Sequence, residues 1–188
     1  MKKETNKGFT LVELLVSVFI FSVIIGGMVN SLLTSIKLQQ KIIADQKMFA
    51  EVSFVLEYMG RTLRMAQKDV DGVCTGLSNY NYNLFDGDRT IRFINYDGEC
   101  QEFSLTDGAI SERIADTESS VDLPDFFPIT SKNVLVKELL FSNAGSSWQS
   151  PASNQSKIGI GMTVETKSGE SEIRFQTTVS QRKLNFPY

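Results

Sequence analysis

The chain has 188 residues, no histidine and two cysteines, with 19 Lys and Arg against 22 Asp and Glu for a formal charge of -3. It therefore holds no His or Cys metal cluster and no Ser/His or Cys/His nucleophile arrangement, and no glycine-rich phosphate loop is present, so no enzyme and no cofactor is indicated. The acidic balance also argues against nucleic acid held non-specifically by a basic surface.

In chain order, a leader at 1–8 carries Lys2, Lys3 and Lys7 against Glu4. This positive balance favours a cytoplasmic N-terminus and places everything after residue 36 outside. From Phe9 to Ile36 the only ionisable side chain is Glu13. About 20 helical residues cross a hydrocarbon core of about 30 Å, so this segment can span a membrane. A charge within such a span costs about 2.5 to 3.5 kcal/mol even on the lenient insertion scale, so Glu13 needs a partner or a task. In an ordinary secretory signal the small-residue cleavage site follows the apolar core. Here Gly8 precedes it, and a cut after Gly8 leaves the span attached.

The string Lys-Gly-Phe-Thr-Leu-Val-Glu-Leu-Leu-Val-Ser at 7–17 resembles the N-terminal signature of the type IV pilin and pseudopilin superfamily. The resemblance implies cleavage between Gly8 and Phe9 by a prepilin peptidase, methylation of the new Phe9 amine, and assembly into a helical filament through the apolar helix. It also implies that Glu13 pairs with the Phe9 amine of a neighbouring subunit and sets its axial register. Opposite charges attract strongly in a core of low dielectric, where an unpaired one is penalised. The plain alternative is a signal anchor whose Glu13 snorkels to the interface. The implied partners are other pilins or pseudopilins, the prepilin peptidase, an inner-membrane assembly platform, and the lipid bilayer before assembly.

No proline occurs before Pro124, and an apolar stripe continues through Leu38, Ile42, Phe49, Val52, Leu56, Met59 and Leu63. The spacing predicts one helix from Phe9 to about Gln67, apolar over 9–36 and amphipathic over 37–67. Lys37, Gln39, Gln40, Lys41, Asp45 and Lys47 are expected to face water. Gly26-Gly27 interrupts the apolar half and permits either local melting or close helix packing. About 150 residues lie beyond the span, which suits one extracytoplasmic domain, a β-rich head at 68–188.

Lys68 to Gly72 reads as the helix exit, and the Asn- and Gly-rich stretch to Asp88 as loop. Arg89–Tyr96 and Glu99–Leu105 then form a hairpin in which Asp97-Gly98 supplies positive φ angles, and Asp107-Gly108 turns into a third strand at Ala109–Ile114. Residues 115–131 read as an acidic loop containing Asp116, Glu118, Asp122 and Asp125. A strand at Val134–Ser142 is followed by a polar segment at 145–156. A last hairpin joins Ile158–Glu165 to Glu172–Ser180 through Lys167-Ser168-Gly169. No internal repeat is present. The expected fold is α+β and pilin-like: a long N-terminal helix packed on a C-terminal antiparallel sheet.

Pro128-Ile129-Thr130-Ser131 before Val134, with a final strand ending in Phe175-Gln-Thr-Thr-Val-Ser-Gln-Arg182, resembles the minor pseudopilin J or minor pilin W type. That type usually ends in Arg-Asn, where this chain has Arg182-Lys183. Such minor subunits imply a tip complex that primes filament assembly. The alternatives are a major filament subunit, or a tip module for adhesion or DNA uptake, for which only Arg174, Arg182 and Lys183 speak. Pilus, secretion and competence machines share this architecture.

Cys74 and Cys100 both fall outside the membrane, where a disulfide is permitted; closing a loop of about 27 residues would contribute roughly 3.5 kcal/mol. Two separate thiols are the other reading. Asp86-Gly87-Asp88 and the 116–125 run supply oxygen atoms without a spacing that dictates calcium coordination, and read as solvated surface, with no metal expected. Trp148, in a polar loop, reads as sheet packing or as a partner-facing anchor.

Overall fold

A computed structural model describes residues 8–116, 119, 123–143, 156–167, 169 and 171–182. Among the described residues one long helix, α1 (Leu11–Arg64), precedes eight strands: β1 (Asn83–Phe85), β2 (Thr90–Ile94), β3 (Cys100–Thr106), β4 (Ala109–Ile114), β5 (Phe127–Pro128), β6 (Val134–Asn143), β7 (Lys157–Thr166) and β8 (Glu172–Ser180). This is the expected α+β, pilin-like layout. The chain divides into two compact units, 1–43 and 44–188.

From Leu11 onward the first unit is helix, and α1 is long and apolar enough to cross a membrane. Its polar side chains are satisfied by their own backbone: Ser17 donates to the Glu13 carbonyl at 2.7 Å, Ser22 to Val18 at 2.8 Å and Thr34 to Asn30 at 2.9 Å. Side chains that bond within their own helix demand no partner from a lipid phase, where an unsatisfied polar group costs several kcal/mol. Helix continues through Gly26 and Gly27, and a Cβ at either would meet nothing within 4 Å.

In the second unit, α1 and two antiparallel sheets share one core. The sheets are a five-stranded meander, β1-β2-β3-β4-β5, and a three-stranded sheet, β6-β7-β8. The expected antiparallel β-sheet domain is thus divided, among the described residues, between two sheets. The three-strand meander expected at 89–114 is extended at each edge. β1 comes from the Asn-rich stretch that reads as loop, and β5 from two residues of the acidic segment. Asp107 (φ 51°) and Gly108 (φ 74°) make the tight turn with both central residues positive. At the first hairpin only Gly98 is positive, and the Asn95 side chain shapes the turn by accepting from the Asp97 and Glu99 amides at 3.0 and 2.9 Å. A Cβ on Gly108 would lie 2.5 Å from the Leu135 Cδ1, so glycine there serves both the turn and the approach of β6.

The helix buries Met48, Val52, Val55, Met59 and Leu63, at steps of four, three, four and four. These meet Phe93 and Phe103 of the first sheet and Leu139, Phe141, Ile158 and Ile160 of the second. Each large aliphatic buried this way is worth about 1.5 to 3 kcal/mol. The face differs from the expected stripe: Leu38, Ile42 and Phe49 are 58, 45 and 44% exposed, whereas Met48 and Val55 are buried. Periodicity alone could not choose between rows of apolar residues one position apart. Asp45, expected to face water, is half-buried.

Tertiary bonds, not a glycine, end α1. Tyr82 donates to the Leu63 carbonyl at 2.6 Å, the Arg182 amide to Arg64 at 2.7 Å, and the Gln181 side chain to Ala66 at 3.0 Å. The carbonyls of Leu63 and Arg64 in the last turn, and of Ala66 just beyond the helix, are thereby satisfied. Gln67 is already outside the helix, its amide donating to Ile94 at 2.9 Å in an isolated bridge.

Candidate functional site

The sequence singles out Gly8, Phe9 and Glu13, and the structure places them within one turn of the start of α1. Gly8, Phe9 and Thr10 precede the helix as non-helical backbone, and Phe9 is 78% exposed. The Gly8-Phe9 bond therefore lies outside the helical hydrogen-bond ladder. Thr10 is the N-cap: its carbonyl accepts from the Leu14 amide at 3.2 Å and its Oγ1 from the Glu13 amide at 3.3 Å. That is N-cap geometry; Glu13 stands three residues after the cap, at capping-box spacing, but its carboxylate makes no return bond to the Thr10 amide. Sequence reasoning passed over Thr10, although the Thr-x-x-Glu spacing was there to be read.

Glu13 lies in the first turn of α1, where a carboxylate is favoured by the amide dipoles. It is exposed, and its carboxylate has no hydrogen-bond or ion-pair partner among the described residues. Thr10 thus fixes the Glu13 backbone and leaves its acid group available. The geometry can hold a cation brought from outside the chain.

Cys74 and Cys100 are bridged, with Cα atoms 5.5 Å apart. The bridge packs with Ile94 and Ala115 and ties the post-helix loop to the start of β3. That loop is organised by a residue the sequence reading passed over. Asp69, 1% exposed, accepts from the amides of Gly72, Val73, Cys74 and Thr75 at 2.7 to 3.2 Å and from the Thr75 hydroxyl at 2.8 Å.

A second buried carboxylate, Glu102, joins Arg92 at 2.7 Å and Arg113 at 3.1 Å across β2, β3 and β4, and the two guanidinium groups stack over Phe85 and Phe126. Between helix and sheet, the Tyr58 hydroxyl donates to Glu112 at 2.7 Å. Burial first, then the neighbouring Glu112, pushes the Tyr58 phenol up to about 12. On the other sheet, Lys137 bridges Glu172 and Glu165, which raise its pKa.

Of the basic residues considered for DNA, Arg174 and Arg182 are described. Arg174 lies in β8, 3.5 Å from Glu138, and Arg182 is eight residues further on, about 27 Å along an extended chain. Lys183, Trp148, Ser168, Glu118 and Asp122 lie outside the described residues. Asp86 and Asp88 occupy the positive-φ turn between β1 and β2. Among the described residues no group of three or more His, Cys, Asp or Glu is placed to hold a metal.

The family model of the prokaryotic N-terminal methylation motif matches residues 5–29. No curated protein and no solved structure matches the chain. The match covers Gly8, Phe9, Glu13 and the apolar helix as far as Val29, and it carries the type IV pilin signature. It supports a pilin- or pseudopilin-like structural subunit, membrane-anchored through one apolar helix, methylated, and assembling with other pilins after prepilin peptidase processing.

Proposed function

We propose that the chain is a minor pilin or pseudopilin of the J or W type, anchored in the cytoplasmic membrane by residues 9–36 with its N-terminus inside and its head at 68–188 outside. Prepilin peptidase removes residues 1–8 between Gly8 and Phe9, and the Phe9 amine is methylated. On the inner-membrane assembly platform the subunit leaves the bilayer and enters the tip complex of a type IV pilus or type II secretion pseudopilus. Glu13 receives the Phe9 ammonium of a neighbour and sets the register.

One observation carries this reading. Glu13 is the only acid in the apolar half of α1, and its carboxylate is exposed and without a partner among the described residues. The cost of such a charge in lipid falls when a neighbour's ammonium meets it in a filament core.

The test is Glu13→Ala in cells that assemble filaments. Membrane insertion and leader removal should persist, whereas the amount of subunit in sheared filaments should fall at least tenfold. Wild-type incorporation of the alanine variant would refute the role of Glu13. Gly8→Leu should block leader removal, and mass spectrometry of the wild-type protein should find a methylated Phe9 as residue one. Tagged protein should co-purify with companion minor subunits in low copy number, and high copy number along filaments would instead mark the major subunit.

A further inference from the structure

The first backbone bond of α1 runs from the Leu14 amide to the Thr10 carbonyl, so the amides of Leu11, Val12 and Glu13 find no acceptor within the helix. Thr10 Oγ1 takes one of the three, the Glu13 amide, at 3.3 Å. In a helix begun one turn earlier that amide would bond the Phe9 carbonyl instead, and the Val12 amide would bond the Gly8 carbonyl. Hydroxyl and carbonyl thus compete for one donor.

The winner decides where the helix starts. With the Thr10 hydroxyl bonded, the Gly8 and Phe9 carbonyls accept no backbone amide among the described residues, and both residues precede α1. Gly8 is a weak helix former but no steric stop, since a Cβ built there would meet nothing within 4 Å, and no proline stands nearby. Thr10 is the stop.

That placement bears on hydrolysis of the Gly8-Phe9 bond. Water adds to the Gly8 carbonyl carbon and the bond to the Phe9 nitrogen breaks, leaving a carboxylate on Gly8 and an ammonium on Phe9. Charge develops on the Gly8 carbonyl oxygen as water adds, so a protease must bring its own donors to that atom. A carbonyl already bonded to the Val12 amide is less open to them.

We infer that Thr10 is a positioning residue for leader removal: its hydroxyl holds the start of α1 at Leu11 and so keeps the Gly8 carbonyl free for the peptidase. The inference rests on the reading that residues 1–8 are removed, and adds to it the side chain that presents the bond.

The test follows leader removal by pulse-chase of the full-length protein in its native membrane. Thr10→Val keeps the shape and loses the acceptor, whereas Thr10→Ser keeps the acceptor and loses the methyl. With membrane insertion unchanged, the valine variant should be processed slower by at least about threefold and the serine variant close to the wild-type rate. The Phe9 Cα carbon-13 shift of the uncleaved protein in micelles, without peptidase, should turn helical in Thr10→Val only. A fast valine variant with a slow serine one would mean that the enzyme reads the methyl, and would overturn the inference. So would a slow valine variant whose Phe9 shift stays as in wild type, since the enzyme would then read the hydroxyl directly. If Thr10→Val is cut at the wild-type rate, leader removal stands and this inference falls. If the wild-type protein keeps residues 1–8, both fall.

Discussion

The Tyr82 hydroxyl, wholly buried, donates to the Leu63 carbonyl at 2.6 Å across 19 residues of sequence. Burial holds its phenol well above the usual range. A group whose folded pKa is raised contributes its full stability below the unfolded value near 10 and loses it as pH rises through the folded value. Tyr82 therefore makes the head progressively less stable above about pH 10. Tyr82→Phe should cost about 0.5 to 1.5 kcal/mol near neutral pH, the net worth of one hydrogen bond, since the Leu63 carbonyl still accepts from the Ala66 amide at 3.3 Å. It should also flatten the alkaline decline, and denaturant titrations at pH 8 and pH 11 would show both effects.

Asp69 is held by four amides and one hydroxyl, with no cation among its hydrogen-bond partners in the described structure. Asp69→Asn would turn an NH2 group toward amide donors, and Asp69→Ala would leave those donors without an acceptor. Each bond to a charged group is worth about 1.5 to 3 kcal/mol, so either change should lower stability by at least about 3 kcal/mol. Limited proteolysis should then cut first within residues 69–80. A loop as protease-resistant as wild type would show that the carboxylate does not organise it.

The legible parts of this fold are those where periodicity and turn chemistry agree. Ile158, Ile160, Met162 and Val164 alternate in the sequence and lie buried in β7, and Asp107-Gly108 marks a turn whose angles it adopts. β1 and β5 were illegible because strands of three and two residues have no measurable period, and neighbours in the sheet create them. The helix stripe holds at Val52, Met59 and Leu63, which are buried, and misses Met48 and Val55 for a related reason. Phe49 and Met48 are adjacent and equally apolar, and only the sheets decide that Met48 is the buried one. At the N-terminus nothing distant intervenes, so the Gly8, Phe9 and Glu13 segment could be read directly. Asp69 could not be read, because its partners are backbone amides that leave no signature in composition.

Glu102 sits between Arg92 and Arg113 on the face of the first sheet. Breaking a buried ion pair by removing one partner costs about 3 to 5 kcal/mol, far more than the net worth of the pair. Glu102→Ala strands two cations against Phe85 and Phe126 and should approach that figure. Adding Arg92→Met to Glu102→Ala should recover part of the loss, because fewer charges are then left unpaired. Equilibrium denaturation of Glu102→Ala, Arg92→Met and the double variant as a cycle would measure the coupling, and additive effects would show that the triad is not a unit.

The bridge between Cys74 and Cys100 closes a loop with a sequence separation of 26. On the chain-entropy treatment that constraint is worth roughly 3.5 kcal/mol, acting mainly by narrowing the unfolded ensemble. Cys74 and Cys100 are also fully buried, so the cross-link carries packing with Ile94 and Ala115. A Cys74→Ala, Cys100→Ala double variant should lose about 3 to 4 kcal/mol, and reductant should destabilise the wild type while leaving the double variant unaffected. The first two turns of α1 contain no part of this network, so leader removal should proceed at the wild-type rate in the double variant. A processing defect in it would mean that the peptidase senses the folded head, and would make export and folding a coupled step.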